Sequence, residues 1–265
     1  MNYVIHAPAA SWKTSVQLPA SKSICNRALI LNALSYSPYE IQNLSDCDDT
    51  DVMVKALNSN DSHFDVKAAG TAMRFLTAFL SKVVGEWTIT GTERMKNRPI
   101  RILVDALNAV GAKIEYLEKE GFPPLRIMGS ALQGGEISLD GGVSSQYISA
   151  LLMIAPLMEK GLTLHLQGKV ISKPYIHLTL QLMKQYGVES EWVGSTIKVA
   201  PQSYRPLPYT VESDWSAASY WYEMMALSQQ AEIELKGLFK ESLQGDAAGA
   251  KLFAQLGVAT DYKAG

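Results

Sequence analysis

One plan recurs four times along this chain, and few folds accommodate it. A strand ends in a turn, a polar loop follows, then an amphipathic helix, then Gly or Asn, then another strand. The strands close at Ile41-Gln42-Asn43, Ile89-Thr90-Gly91, Leu166-Gln167-Gly168 and Leu235-Lys236-Gly237. The last three helices end at Gly111, Gly187 and Gly257, each 19 or 20 residues beyond the glycine that closes the strand. Glycine there is the expected left-handed cap. The first copy carries Asn58 instead, and the stretches that follow turn apolar again, as at Val188 and Val258-Ala259. Copies separated by 77 and 69 residues exceed the roughly 20–45-residue units of solenoids. They predict an α/β domain assembled from several βαβ-type units around shared internal helices. Chance likeness among ordinary α/β units is the competing reading, because glycine after a helix is common.

A second helix precedes each of these strands: Ser21–Leu34, Gly70–Leu80, Ser144–Leu157 and Asp214–Leu227. Each is rich in Ala, Leu, Ile and Met around most of its circumference, as a buried helix should be. Yet each opens on small or polar residues. Unpaired N–H groups at a helix start attract anions, so several such starts converging would make an anion pocket.

The first start, Pro19-Ala20-Ser21-Lys22-Ser23-Ile24-Cys25-Asn26-Arg27, carries two cations where the helix dipole repels them. Ser23 and Arg27 share a face. An anion held between Lys22 and Arg27 would explain the placement; a capped helix with solvated charges reads the same way. In Ala69-Gly70-Thr71-Ala72-Met73-Arg74, Gly70 permits close approach of a ligand, and the pattern is neither a Walker loop nor a dinucleotide fingerprint. In Arg94-Met95-Lys96-Asn97-Arg98-Pro99, Pro99 suits a first helical position and would place Arg98 at the cap. Val143-Ser144-Ser145-Gln146-Tyr147 supplies uncharged donors for phosphate or sugar oxygens, although a serine cap needs only one of them. In Ser172-Lys173-Pro174-Tyr175 the proline again reads as an early helical residue, and Tyr175 either offers its hydroxyl or packs.

Other chemistries find less support. The Asp46–Asp51 acidic run lacks the central glycine and final glutamate of a calcium loop, so its carboxylates are expected to cap a helix. His6, His63, His165 and His177 have no ligand spacing, and no metal is expected. No Gly-x-Ser-x-Gly elbow is present. A net charge of -2 leaves no footprint for nucleic acid. Cys25 and Cys47 form no disulfide framework and are expected to stay reduced, Cys25 as a packing residue. The longest apolar stretch, near Ile148–Met158, is too short to span a bilayer, and residues 1–15 do not read as a signal peptide. A cytoplasmic protein, with no membrane partner, is the expectation.

Taken in order, these motifs resemble the 5-enolpyruvylshikimate-3-phosphate synthase (3-phosphoshikimate 1-carboxyvinyltransferase) family. The likeness runs through Leu18–Ser23 and Asn26–Leu29, Ala69–Arg74, Thr90-Gly91 with Arg94–Ile100, Val143–Tyr147, Ser172–Ile176 and Gly245-Asp246. It implies the enolpyruvyl transferase fold, with residues 15–213 as one complete three-unit domain that binds shikimate-3-phosphate. Residues 1–14 and 214–265 would belong to an incomplete second domain. The implied reaction transfers the enolpyruvyl group of phosphoenolpyruvate to the 5-hydroxyl of shikimate-3-phosphate, releasing phosphate, without cofactor or metal. By resemblance, Lys22, Gly70, Arg98 and Gln146 meet phosphoenolpyruvate. Lys22, Ser23, Arg27, Ser144, Ser145, Gln146, Ser172 and Tyr175 hold shikimate-3-phosphate, and Lys22 assists proton transfer. Arg74 is expected to support the glycine turn rather than touch substrate. The full-length protein is expected to be a monomer.

Three departures bear on this. Ala68 stands where the family usually has Asn, and Phe75 where it usually has Pro, so altered packing behind Gly70 and altered glyphosate sensitivity are expected. The chain reaches Gly265 after roughly three fifths of a family length by analogy. The family's catalytic Asp and Glu, two arginines and a lysine lie beyond, so by itself the chain is expected to bind without turnover. A related transferase acting on UDP-N-acetylglucosamine fits less well, because it lacks the Ser-Lys-Ser and Ser-Ser-Gln series.

Overall fold

Strand ends and the starts of the inner helices fall where the chemical signals put them, but two strand pairings cross the chain in a way no local signal shows. The computed structural model describes residue 4 and residues 11–263; His6 lies outside them. The strands are β1 (Ser11–Gln17), β2 (Ile41–Gln42), β3 (His63–Asp65), β4 (Gly85–Thr90), β5 (Lys113–Tyr116) and β6 (Leu125–Gly129). They continue as β7 (Gly135–Asp140), β8 (Leu162–Gln167), β9 (Glu191–Val193), β10 (Thr196–Val199), β11 (Tyr209–Thr210) and β12 (Gln230–Lys236). The helices are α1 (Lys22–Leu34), α2 (Asp48–Leu57), α3 (Gly70–Lys82), α4 (Glu93–Lys96) and α5 (Arg101–Ala109). Then come α6 (Ser145–Ile154), α7 (Lys173–Gln185), α8 (Trp215–Leu227) and α9 (Gly249–Ala254).

The chain divides into two compact units, Lys22–Val211 and the flanking segments up to Ser21 and from Glu212. In the first, two four-stranded sheets have the same plan. In β3-β4-β6-β5 and β7-β8-β10-β9 the first pair is parallel and the other two are antiparallel. Each parallel pair is joined through a buried helix, α3 or α6, as a parallel connection requires. Each hairpin follows an outer helix, α5 or α7. The units are thus βαβαββ. In the remaining copy, β2 pairs parallel with β11, Tyr209 opposite Ile41. In the second unit β1 pairs parallel with β12, Ser11 opposite Gln230 through Gln17 opposite Lys236. The strand before α1 therefore completes the sheet after α8, and the strand before α8 completes the sheet after α1.

The core of the first unit is the set of inner helices. From Tyr147 to Ile154 every residue of α6 is buried, and α3 buries all but Phe79 and Lys82. Burying a Leu, Ile, Phe or Met side chain contributes about 1.5–3 kcal/mol, so these helices outweigh the amphipathic outer ones. Pro156 lacks an N–H, and the helix tightens to a 3-10 turn at Ala155–Leu157, earlier than the expected Leu157. Gly111, Gly187 and Gly257 adopt φ of +103°, +84° and +85°, the left-handed caps expected of them. Asn58 is different: its φ is -100°, so the first copy closes its helix without a left-handed residue. After Gly257 no strand forms among the described residues; Val258 instead packs into the core of the second unit with Leu18, Trp215, Ala218 and Tyr222. There the buried Glu212 carboxylate accepts from Trp215 Nε1 (2.8 Å), Phe239 N (2.8 Å), Ser242 Oγ (2.7 Å) and Gln244 Nε2 (2.9 Å), tying down the approach to α8.

Candidate functional site

Four helix starts of the first unit carry the candidate residues, and three of them are stitched together by one carboxylate and one amide. Lys22 opens α1. Its Nζ lies 2.5 Å from Asp49 Oδ2, with the lysine side chain 48% exposed and the aspartate 10%. Asp49 belongs to the first turn of α2, yet its other oxygen accepts from Thr71 N (2.8 Å) and Ala72 N (3.4 Å) at the start of α3. The acidic run was expected to cap its own helix; Asp49 caps a neighbouring one, because α3 offers N–H groups that Ala69, its cap residue, cannot satisfy. Gln146 Nε2, in the first turn of α6, donates to Thr71 Oγ1 at 3.2 Å. So the starts of α1, α3 and α6 meet.

Gly70 is the first residue of α3. A Cβ there would lie 2.9 Å from both Cζ and Nη2 of Arg98, so the missing side chain is what lets the guanidinium rest on the backbone. Arg74 Nη1 donates to Gly70 O at 2.9 Å, in the supporting place expected for it. Burial lowers the Arg74 pKa from its ordinary value, with Tyr147 opposing the fall.

Arg98 itself is not at a helix cap. Helix α5 begins at Arg101, with Ile100 as cap. Tyr147 Oη donates to Pro99 O at 2.7 Å, and Ile100 N goes to Gly121 O at 2.9 Å, so the segment is held out of the helix. Arg98 follows the short helix α4, its N–H bonded to Met95 O. The basic cluster splits by partner. Lys96 meets Glu118 at 2.9 Å and Arg101 meets Glu120 at 2.8 Å, while Arg98 pairs with no carboxylate among the described residues.

Arg27 was expected on one helical face with Ser23, beside an anion. It is buried, 3% exposed. Its Nε donates to Thr179 Oγ1 (2.7 Å), Nη1 to Ser23 O (2.9 Å) and Nη2 to Ser149 Oγ (2.9 Å). The ring of Tyr175, at the start of α7, lies 6.0 Å from its Cζ. Burial pulls the guanidinium down to about 10, with Tyr175 opposing the shift, so it is charged at neutral pH. Ser144 is the N-cap of α6 and accepts from Gln146 N at 3.3 Å. Ser145 and Ser172 sit at the starts of α6 and α7, and the Ser172 side chain makes no cap bond. No hydrogen bond joins Ser144, Ser145 or Ser172 to Lys22, Arg27 or Arg98 among the described residues.

Ser149 and Thr179 were not singled out from the sequence; Thr71 stood only within the Gly70 motif and Asp49 only within the acidic run. Ser149 and Thr179 follow Ser145 and Tyr175 by four residues, on the same helical faces, and a hydroxyl inside an apolar helix face was the available signal. For Asp49 the capping role was signalled but not the helix it caps, since its partners are on α3 and α1. Burial raises the Cys25 pKa, as suits a packing residue. No group of three or more His, Cys, Asp and Glu among the described residues could hold a metal ion, and no helix there is long and apolar enough to cross a membrane.

Repeated βαβαββ units whose buried helices open on one polar cluster define an α/β protein of the enolpyruvyl transferase fold. Solved EPSP synthases of Acinetobacter baumannii superpose with a TM-score of 0.76 over 86% of this chain and 56% of theirs in one case, at 19% identity. The family model for EPSP synthase (3-phosphoshikimate 1-carboxyvinyltransferase) matches residues 7–59 and 56–263, and the chain belongs to that family. A 3-phosphoshikimate 1-carboxyvinyltransferase of Bacteroides fragilis strain YCH46 is 61% identical over 263 residues, 99% of this chain and 64% of the relative. One from Vibrio vulnificus strain YJ016 is 40% identical, covering 93% of this chain and 64% of the relative. The chain thus spans less than two thirds, 64%, of the length of these relatives.

Proposed function

We propose that this chain provides the shikimate-3-phosphate-binding part of a cytoplasmic transferase for aromatic-compound synthesis. The reaction moves the enolpyruvyl group of phosphoenolpyruvate to the 5-hydroxyl of shikimate-3-phosphate and releases phosphate. The observation that carries this reading is Arg27: a buried cation held by hydroxyls and a carbonyl, with no carboxylate to neutralise it among the described residues, and with the Tyr175 ring of α7 beside it. Residues 15–213 form the binding domain in this reading. Ser23, Arg27, Ser144, Ser145, Gln146, Ser172 and Tyr175 hold shikimate-3-phosphate. Lys22, Arg98, Gln146 and the Gly70 backbone meet phosphoenolpyruvate.

Both substrates are polyanions, and clustered cations offset their mutual repulsion. A charge-assisted hydrogen bond contributes about 1.5–3 kcal/mol, so a few suffice for binding. In the addition step the 5-oxygen bonds to C2 of phosphoenolpyruvate and loses its proton, while C3 gains one. In the elimination step the C2–O bond to phosphate breaks and C3 returns its proton. Lys22 assists these transfers: one N–H goes to Asp49, and the half-exposed ammonium has others to offer.

Calorimetric titration of the chain with shikimate-3-phosphate tests the reading. Saturable binding that Arg27→Met abolishes supports it; no heat at millimolar ligand sinks it. Phosphate release assayed alongside separates a binding portion from a chain that turns over unaided.

A further inference from the structure

Arg27 is surrounded by groups from four helices, and one of them is the face of an aromatic ring. From α1 it meets the Ser23 carbonyl, from α6 the Ser149 hydroxyl, and from α7 the Thr179 hydroxyl and the Tyr175 ring. From α3 it meets Phe75, whose ring centroid lies 5.3 Å from the guanidinium carbon. Phe75 is fully buried. The titratable group facing Arg27 is Tyr175, and no carboxylate pairs with it among the described residues. Burying a cation without a carboxylate is costly, and three neutral hydrogen bonds offset only part of that cost.

The face of an aromatic ring attracts a cation through its quadrupole, most strongly when water is excluded. A carboxylate would do the same but would neutralise the charge and repel an incoming anion. A ring stabilises the cation while leaving its net charge in place. A proline at position 75 would present no such face.

We propose that Phe75 is a positioning residue for Arg27: its ring face stabilises the buried guanidinium without neutralising it and so holds it, charge intact, for an anionic ligand. The ligand side of this inference rests on the reading of Arg27 as a shikimate-3-phosphate contact.

The test uses the full 265-residue chain labelled with 13C and 15N arginine, with the Arg27 signal assigned by its loss in Arg27→Lys. Phe75→Leu and Phe75→Met keep an apolar side chain and remove the ring face; two variants guard against one failing to fold. The Arg27 Nε–Hε signal is followed by NMR at neutral pH, and shikimate-3-phosphate binding is measured by calorimetry in parallel, with Phe75→Tyr as the variant that keeps a ring face. The expected result in Phe75→Leu and Phe75→Met is about tenfold faster exchange of the Arg27 Hε with water and about tenfold weaker ligand binding, with both near parental values in Phe75→Tyr. A core-filling role alone changes thermal stability but leaves Hε exchange in place, so parental exchange in the leucine and methionine variants overturns the proposal. If the parent chain fails to bind while exchange still quickens, the shikimate-3-phosphate reading fails and the Phe75–Arg27 pairing stands.

Discussion

Replacing Asp49 by alanine should do two separable things. Its carboxylate is the acceptor for Thr71 N and Ala72 N and the partner of Lys22. Thr71 and Ala72 are both buried, so removing the acceptor leaves a donor without water or partner, at a cost of about 1–3 kcal/mol. The ion pair adds less than about 1 kcal/mol, because Lys22 is half exposed. Together these predict a loss of about 2–3 kcal/mol. For domains of roughly 150–250 residues each kcal/mol shifts the melting temperature by about 2–4 °C, so Asp49→Ala should melt about 4–12 °C lower. Asp49→Asn keeps an acceptor oxygen while losing the charge, and should recover more than half of the loss. Circular dichroism melts give the magnitude, and amide hydrogen exchange at Thr71 gives the location: fast in the alanine variant, slow in the asparagine one. If alanine costs under 0.5 kcal/mol, or if the two variants behave alike, the carboxylate does not cap α3 and the meeting of helix starts loses its keystone.

Gly70→Ala should leave stability unchanged or slightly raised, because the first atom a new Cβ meets is the movable end of Arg98 and alanine restricts the unfolded chain. It should nonetheless weaken phosphoenolpyruvate binding about tenfold or more, the worth of one charge-assisted hydrogen bond; calorimetry and melts together check the opposite signs. Tyr186 Oη is buried without a partner among the described residues, so Tyr186→Phe should be neutral or stabilising at pH 7. Burial raises the pKa of Tyr186 and of Tyr204 above the ordinary tyrosine value. Their contribution is therefore full below about pH 10 and lost as pH rises further, when the unfolded chain ionises first. Tyr186→Phe should move the alkaline unfolding midpoint upward, and an unchanged midpoint would contradict this. Cys25, buried, with burial raising its pKa, should resist iodoacetamide at pH 8 while the partly exposed Cys47 is alkylated, as peptide mass mapping would show.

Much of this was legible because the signals are local. Gly111, Gly187 and Gly257 mark helix ends through their own backbone freedom. The polar starts of α1, α3, α6 and α8 announced themselves against apolar runs. What stayed hidden depends on contacts distant in sequence. Nothing in residues 11–17 says that they pair with residues 230–236 rather than with β2. Arg27 reads as a partner of Ser23 and Lys22, and nothing local shows that Ser149 and Thr179, 122 and 152 residues away, hold it. Pro99 is a sound first-helical signal, overridden because Tyr147 on α6 holds its carbonyl. Asp49 reads as a cap of α2 until α3 presents bare N–H groups to it. In the site, therefore, residue types were readable and their partnerships were not.

The account turns on the starts of α1, α6 and α7 serving a single polyanion, with the start of α3 tied to them through Gln146 and Asp49. Amide chemical shifts followed while shikimate-3-phosphate is added to the labelled chain test this directly. Lys22, Ser23, Thr71, Ser145, Gln146 and Tyr175 should move together along one saturation curve. Shifts confined to one helix start, or several curves with different midpoints, would mean that these ends do not act as one site.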